Sequence, residues 1–376
     1  MQSKHIKILH IVHSLNEGGI ERLLLEICKK IDKDKFEIQI CCLVEKGIIV
    51  SEFESAGIKI HFVNAERYFT FKNIFINIIS LFKIIKIINK ESISIVHGHE
   101  FYSTIFSRIS SLFTGVYKNY ITLHNIYYWW GNNVHRIQKL LSIITTKIIC
   151  NSVSTMNYSI ARDKIQKDKY ELIYNGIDCD KFYPSSVNTK NILKELNISD
   201  DKKIFMSVGS ISHRKGYEYL INAFSNVSKD FPEMILIIVG DKHYNEEEYY
   251  DKIINLISEL NIKDKVIITG NRNDINQILN LCSIFIMSSV AEGFGLALAE
   301  AMATEKVCIA SDISPFKELI TDNLDGYLFR SEDIHSLQRT IIKVLVSNEE
   351  ELKRIGILAR KKIITNFNSD KMIFEY

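Results

Sequence analysis

Proline is scarce, at three in 376 residues (Pro184, Pro232 and Pro315), so little interrupts long helices and strands. Cysteine occurs seven times but never as a CxxC pair. The odd count and the absence of ligand spacing argue against a secreted disulfide scaffold and for reduced thiols packed as small hydrophobes. Charge of one sign is lacking too, because the net charge is +2, and a near-neutral chain has no general pull on nucleic acid. No GxGxxG fingerprint is present, so a dinucleotide site lacks its signature. The most apolar stretch, 74–88, is broken by Asn77, Ser80, Lys83 and Lys86, which disqualifies it as a membrane span. Residues 4–12 are too short and too broken for a signal-peptide core and read as a first buried strand. A cytoplasmic protein is the expectation.

What is present describes a globular chain of 46% hydrophobic and 24% charged residues, long enough for two domains with a core each. Strand-like runs at 4–14, 36–44, 58–63, 94–97, 120–123 and 148–152 alternate with helix-like runs at 20–31, 51–56 and 74–89. A second series begins at 203–209 and continues through 234–240, 266–270, 284–287 and 307–311, with helices expected over 217–227, 296–303, 334–346 and 349–364. Short connections between alternating elements predict parallel sheets with helices on both faces.

The stretch 288–303, SSVAEGFGLALAEAMA, concentrates the candidate chemistry. An apolar strand precedes it; Gly293, Phe294 and Gly295 then turn the backbone into an alanine-rich helix from Leu296. Glu292 lies in the loop and Glu300 about one helical turn in, and helical side chains lean back toward the N-terminus. Two acidic acceptors beside free N–H groups suit a ligand with both phosphate and hydroxyls; a capped helix with a solvated Glu300 is the plainer alternative.

Similar loops recur at other strand ends. His213, Arg214 and Lys215 follow the strand at 203–209, where adjacent cations suit a diphosphate or form an ordinary basic turn. Gly240 and Gly270, the latter followed by Arg272, end two further strands. The run Glu246-Glu247-Glu248 reads as a solvated helix start. Gly18-Gly19 joins the first strand to the first helix, where open α/β sheets bind ligands. His97, His99 and His124 sit on the same kind of rim. Zinc would need a third ligand, and no neighbour in sequence supplies one, so a substrate contact or proton sharing suits His124 better. Tyr127-Tyr128-Trp129-Trp130 would fill core, stack on a sugar or meet lipid. Asp178-Cys179-Asp180 spells a DxD motif, but beside a linker rather than at a strand end, so no metal is assigned to it.

These residues together resemble the retaining nucleotide-sugar glycosyltransferases of glycosyltransferase family 4, over nearly the whole chain. The resemblance is carried by Gly18-Gly19-Ile20-Glu21, Val96-His97-Gly98-His99, Thr122-Leu123-His124, Asn175-Gly176-Ile177-Asp178 and, most specifically, the Glu-x7-Glu pair Glu292 and Glu300. It implies an α/β GT-B fold of two Rossmann-like domains facing a central cleft. The expected boundaries are 1–185 for an acceptor-side domain, 186–363 for a nucleotide-sugar-binding domain, and a helix over 364–376 returning to the first.

The resemblance further implies a nucleotide-diphosphate sugar, a UDP-sugar by expectation, as co-substrate, with no cofactor or metal. His124, Lys215 and Glu292 are the implied catalytic residues. Donor contacts fall to Gly18, Gly19, Arg214, Lys215, Gly240, Arg272, Glu292, Gly293, Phe294, Gly295, Leu296 and Glu300, with His99, Tyr128 and Trp129 on the acceptor side. Lys215 would meet the diphosphate, Glu300 the ribose, and Glu292 the donor sugar. The family's Lys-Gly loop usually opens Gly-Arg, and here it opens Gly209-Ser210. Either Arg214 supplies the second cation or the diphosphate is held less firmly. The expected partner is a glycan or lipid-linked acceptor at the inner face of the cell membrane, in cell-surface polysaccharide synthesis. A sugar-nucleotide hydrolase or epimerase of the same fold, or a non-catalytic binding subunit, are the alternatives.

Overall fold

The computed structural model describes residues 5–16, 18–66, 73–128, 131–186 and 189–376. Its chain divides into two compact units, Met1–Gly176 with Asp370–Tyr376, and Ile177–Ser369. The sequence reading placed the exit from the first domain at 185 and the return at 364. The observed division lies at 176 and 369 because the two crossing segments hold each other. The Ile177 N–H donates to the Phe367 carbonyl (2.8 Å), and the Ser369 N–H to the Ile177 carbonyl (3.0 Å). Arg360 adds a bond to the Phe182 carbonyl (2.8 Å), so 177–186 packs with the second unit.

The first unit runs β1 (Ile6–Ser14), α1 (Gly19–Lys30), β2 (Phe36–Glu45), α2 (Val50–Ser55) and β3 (Lys59–Phe62). Next come α3 (Ile74–Glu91), β4 (Ile95–His99), α4 (Phe101–Thr114), β5 (Lys118–Leu123) and α5 (Asn132–Leu141). It closes with β6 (Lys147–Cys150), α6 (Val153–Asp163) and β7 (Tyr170–Leu172). The strands form one parallel sheet in the order β3-β2-β1-β4-β5-β6-β7. Strand alternation divides β2 between two cores: Ile38, Ile40 and Cys42 lie in a cluster with Leu24 and Ile27 of α1, and Cys41 and Leu43 in one with Ile84 and Ile88 of α3.

The second unit repeats the plan with α7 (Thr189–Glu195), β8 (Lys203–Val208), α8 (Tyr217–Val227), β9 (Met234–Val239) and α9 (Glu247–Glu259). Then follow β10 (Val266–Ile268), α10 (Ile275–Ile278), β11 (Ile284–Met287), α11 (Leu296–Ala303), β12 (Val307–Ser311) and α12 (Ser314–Leu319). The chain ends with β13 (Tyr327–Phe329), α13 (Ile334–Val346), α14 (Glu349–Asn366) and α15 (Ser369–Glu375). Its parallel sheet has the order β10-β9-β8-β11-β12-β13. All six residues of β9, MILIIV, are buried, as expected of a strand covered on both faces.

Each sheet reverses its direction of growth once, between β1 and β4 in the first unit and between β8 and β11 in the second. Adjacent crossovers there leave on opposite faces, and the loops at the carboxyl ends part to leave a crevice. The rest of the chemistry is built at these two places.

Candidate active site

In the second unit the loops leaving β8 and β11 are tied to each other. The Val290 N–H donates to the Arg214 carbonyl (2.9 Å), and Ser288 Oγ to the Lys215 carbonyl (3.0 Å). Gly209 ends β8 at φ +149°, and a Cβ there would lie 2.8 Å from Lys215 Cε. Glycine at this position lets the lysine stem cross the strand end.

The lysine ammonium meets Glu292 Oε1 at 2.6 Å, Arg214 Nη1 meets Oε2 at 2.7 Å, and Ser289 Oγ donates to Oε1 at 3.1 Å. Burial pushes the Glu292 carboxyl up, but the Arg214 and Lys215 charges and the bonds from Lys215 and Ser289 outweigh it and hold it at about 2. Burial lowers the Lys215 ammonium, against the pull of Glu292, and the neighbouring Arg214 lowers it further. Glu300, one turn into α11, is close enough to contribute to the Lys215 field.

The sequence reading set Lys215 and Arg214 open to a diphosphate and Glu292 open to a sugar. Instead the three pair with one another, two cations sharing one carboxylate and keeping a net positive charge, because Glu292 is an anion within reach of both. Arg272 departs further from expectation. Its guanidinium forks onto Glu195 (2.6 Å) and Asp274 (2.6 Å) and so braces α7 against the β10 loop. Glu246 is not merely a solvated helix start, since it accepts from the His213 N–H (2.7 Å) and ring Nδ1 (3.0 Å) and fixes the loop carrying Arg214 and Lys215. Gly240 donates its N–H to the Gly270 carbonyl (3.0 Å), closing the neighbouring strand ends.

Gly295 caps α11 at φ +104°, where a Cβ would lie 2.6 Å from the Phe316 ring. A side chain is excluded there on both counts. The helix therefore begins directly behind Gly293 and Gly295, and by helix geometry its first N–H groups have no intrahelical acceptor. The Phe294 ring is core, packed edge-on against Phe367 at 5.6 Å, so Gly293 to Leu296 offers backbone rather than side chain. Ser289 was not singled out from sequence; its signal was a serine pair closing a fully apolar strand.

The switch point of the first unit holds a column of histidines. Parallel register pairs His10 of β1 with His97 of β4, and His99 follows on the same face. His10 Nδ1 lies 2.9 Å from His99 Nε2, and His99 Nδ1 lies 3.0 Å from His124 Nε2. His97 bonds Thr122 Oγ1 (2.8 Å) and stacks on the Tyr376 ring at 5.2 Å. Burial drives all four imidazoles down, His10 and His124 to about 3 and His97 and His99 well below the usual range, with the neighbouring histidines lowering these two further. They are neutral at physiological pH.

His99, expected on the acceptor side, is 2% exposed and is bonded on either side to His10 and His124. The third metal-ligand candidate that sequence spacing did not supply is His10, in register across the sheet. The ligand nitrogens of His10, His97 and His99 lie within 4.8 Å of one another. Yet His97 and His99 stack 4.5 Å apart with planes 12° from parallel. In-plane lone pairs on parallel rings do not converge on one ion, and we describe a hydrogen-bonded column. Histidine in an otherwise apolar central strand was its signal.

Gly18 and Gly19 begin α1 at the same switch point. Beside them burial and the nearby Glu100 push the Glu21 carboxyl up to about 8. Among the aromatics, Tyr127 packs on the core while Tyr128 is exposed and meets Tyr158 edge-on; Trp129 and Trp130 lie outside the described residues. Asp178 accepts from the Asp180 and Lys181 N–H groups (3.0 and 3.1 Å) and closes a turn.

Two doubly wound parallel-sheet units, one carrying a cation and carboxylate cluster at its switch point, define the GT-B class. The chain matches the family models "Glycosyltransferase Family 4" over residues 17–181 and "Glycosyl transferases group 1" over 188–362. It belongs to the family 4 type of glycosyltransferase. It is 28% identical over 386 aligned positions to the Escherichia coli UDP-Gal:alpha-D-GlcNAc-diphosphoundecaprenol alpha-1,3-galactosyltransferase, covering 99% of this chain and 96% of that one. Identity to the Staphylococcus aureus capsular polysaccharide biosynthesis glycosyltransferase CapH is 27%, with 92% of each covered. Among solved structures, Anabaena HepE in complex with UDP and glucose superposes with a TM-score of 0.88 at 20% identity, covering 98% of both chains.

Proposed function

We propose that this glycosyltransferase moves a hexose from a uridine diphosphate sugar to a hydroxyl of a lipid-linked or polymeric glycan, with retention at the anomeric carbon and without a metal. The observation that carries the reading is the convergence of Lys215, Arg214 and Glu292 at the β8–β11 switch point. The relatives named for a diphosphoundecaprenol-linked acceptor and for capsular polysaccharide support the acceptor class. The neighbour bound to UDP and glucose supports the donor.

In this reading the donor diphosphate takes the place of Glu292 on Lys215 and Arg214. The displaced carboxylate, with the N–H groups at Phe294 and Gly295, turns to the sugar hydroxyls, and Glu300 accepts from the ribose diol. Breaking the anomeric C–O bond sends its electron pair to the departing diphosphate, where the two side-chain cations stabilise the added charge. The acceptor hydroxyl attacks from the face the diphosphate leaves, and its proton passes to a leaving-group oxygen. His124 stays neutral; its Nε2 is bonded to His99, leaving Nδ1 to meet a substrate hydroxyl.

The test is a panel of nucleotide sugars scored by thermal shift, because a bound donor raises apparent stability by mass action. We expect a UDP-sugar to raise the melting temperature of the wild type, and Lys215→Ala and Glu300→Ala each to weaken that shift. If both variants respond as the wild type does, the site assignment is wrong. Donor turnover in the absence of any acceptor would instead indicate a hydrolase.

A further inference from the structure

Helix α3 is built inside out over its first half. Its buried residues are Asn77, Ser80, Ile84 and Ile88, spaced as one helical face. The two polar members are spent on backbone: Asn77 Oδ1 accepts from the Glu66 N–H (2.8 Å), and Ser80 Oγ donates to the Val63 carbonyl (3.1 Å). The opposite face carries Phe75, Ile78, Ile79 and Phe82, with Phe75 73% exposed, Ile79 56% and Phe82 65%. A soluble helix places its apolar stripe against the core. Here the stripe faces solvent, and polar side chains fill the core side.

The outward face changes character along the axis. Phe75, Ile78, Ile79, Phe82 and Lys86 follow at i, i+3, i+4, i+7 and i+11, and Lys90 flanks the same side, while Lys83 turns back to donate to the Val63 carbonyl (3.0 Å). Glu91 is the only acidic residue in the helix, and it is paired with Lys59 (2.7 Å). An apolar half followed by a basic half, with no exposed acid between, complements a surface that offers hydrocarbon beneath anionic headgroups. A second copy laid parallel on the same face would set lysine against lysine, so charge disfavours that pairing. No helix among the described residues is long and apolar enough to cross a membrane, α3 included.

We infer that the outward face of α3 docks the enzyme on an anionic lipid bilayer, with Phe75, Ile79 and Phe82 seated among acyl chains and Lys86 and Lys90 at the headgroups. The inference rests on the reading that the acceptor is lipid-linked, and it assigns the first unit the task of holding the enzyme where that acceptor lies. These side chains are exposed and outside the donor site, so replacing them leaves fold and chemistry intact.

The full chain is floated with vesicles of phosphatidylglycerol and phosphatidylethanolamine, and with phosphatidylcholine alone as the uncharged control. Wild type should float with the anionic vesicles and lose most of that binding at high salt. Phe75→Ser/Ile79→Ser/Phe82→Ser should bind at least about tenfold more weakly with an unchanged melting temperature. Lys86→Gln/Lys90→Gln should lose roughly tenfold and show a shallower salt dependence. Both variants should transfer sugar to a water-soluble acceptor analogue as the wild type does.

Failure of wild type to float, or flotation of the triple variant at wild-type strength, overturns the inference. So does a wild-type dimer in sedimentation that the triple substitution dissolves, since the face would then meet a second copy. The transferase reading fails separately, if no acceptor is glycosylated whether or not the protein floats.

Discussion

At the scale of single residues, the paired cluster of two cations and one carboxylate at the β8–β11 switch point makes a specific demand. Glu292 occupies the two cations that a diphosphate would need, so it both stabilises the free enzyme and competes with the donor's anionic end. Glu292→Gln leaves Arg214 and Lys215 facing each other without a carboxylate. We expect a lower melting temperature for the free enzyme, tighter binding of UDP itself by calorimetry, and sugar transfer reduced by about 10²-fold or more as the sugar loses its acceptor. Unchanged UDP affinity would show that Glu292 does not compete at the phosphate subsite.

The histidine column makes a second demand. Folded-state pKa values lowered from about 6.5 mean that the unfolded chain binds more protons below that pH. Stability is therefore fully present above about pH 6.5 and is lost as pH falls, at roughly 1.4 kcal/mol per pH unit for each buried histidine. For His10 and His124 the loss continues to about pH 3. Glu21, raised to about 8, has the opposite slope: its stabilising effect is lost as pH rises through about 8. Glu292, lowered from 4.5 to about 2, adds its own loss as pH falls from about 4.5 to about 2. His10→Gln should flatten the dependence of unfolding free energy on pH between 4 and 6 by about one proton. An unaltered slope would mean that His10 titrates normally in the folded protein.

At the scale of elements, the glycine that caps α11 is the sharpest constraint. Gly295→Ala adds a Cβ at positive φ and 2.6 Å from the Phe316 ring. It should destabilise the second unit by about 2 kcal/mol or more, read as an earlier denaturation transition of the full chain, and should weaken donor binding by misplacing the first turn of α11. A neutral substitution would contradict the packing described.

How far the elements could be read from sequence follows from the same physics. Helices α8 and α13 have core-facing apolar residues at helical spacing, and their observed spans, Tyr217–Val227 and Ile334–Val346, are those expected. The helix α4 was not legible, because its buried residues include Ser103, Thr104, Ser107, Ser110 and Ser111. Small polar residues are needed there: a Cβ on Gly98 would lie 2.8 Å from Thr104 Cα and 2.5 Å from Ser107 Oγ, so α4 packs almost onto the β4 backbone. Close approach selects small side chains and erases the hydrophobic period. The first half of α3 was read as a helix, but which of its faces is exposed reverses the usual rule.

At the scale of the whole molecule, the two-unit plan was visible because the alternation of strand and helix restarts at Lys203. The pairings inside the candidate sites were not visible. The contact of His10 with His99 depends on β1 lying beside β4, and the contact of Lys215 with Glu292 on β8 lying beside β11. Both neighbours are set by strand order, which composition and period do not encode. The family resemblance brought Glu292 and Lys215 to one ligand but did not reveal that they bind each other.

The most direct measurement of the central proposal is release of UDP from a UDP-sugar, followed with and without a diphospholipid-linked saccharide, together with the anomeric configuration of the product by NMR. We predict release that depends on the acceptor, an axial donor linkage kept axial in the product, and activity reduced by about 10²–10³-fold in Lys215→Ala. Acceptor-independent release, an inverted anomer, or full activity in the lysine variant would contradict it.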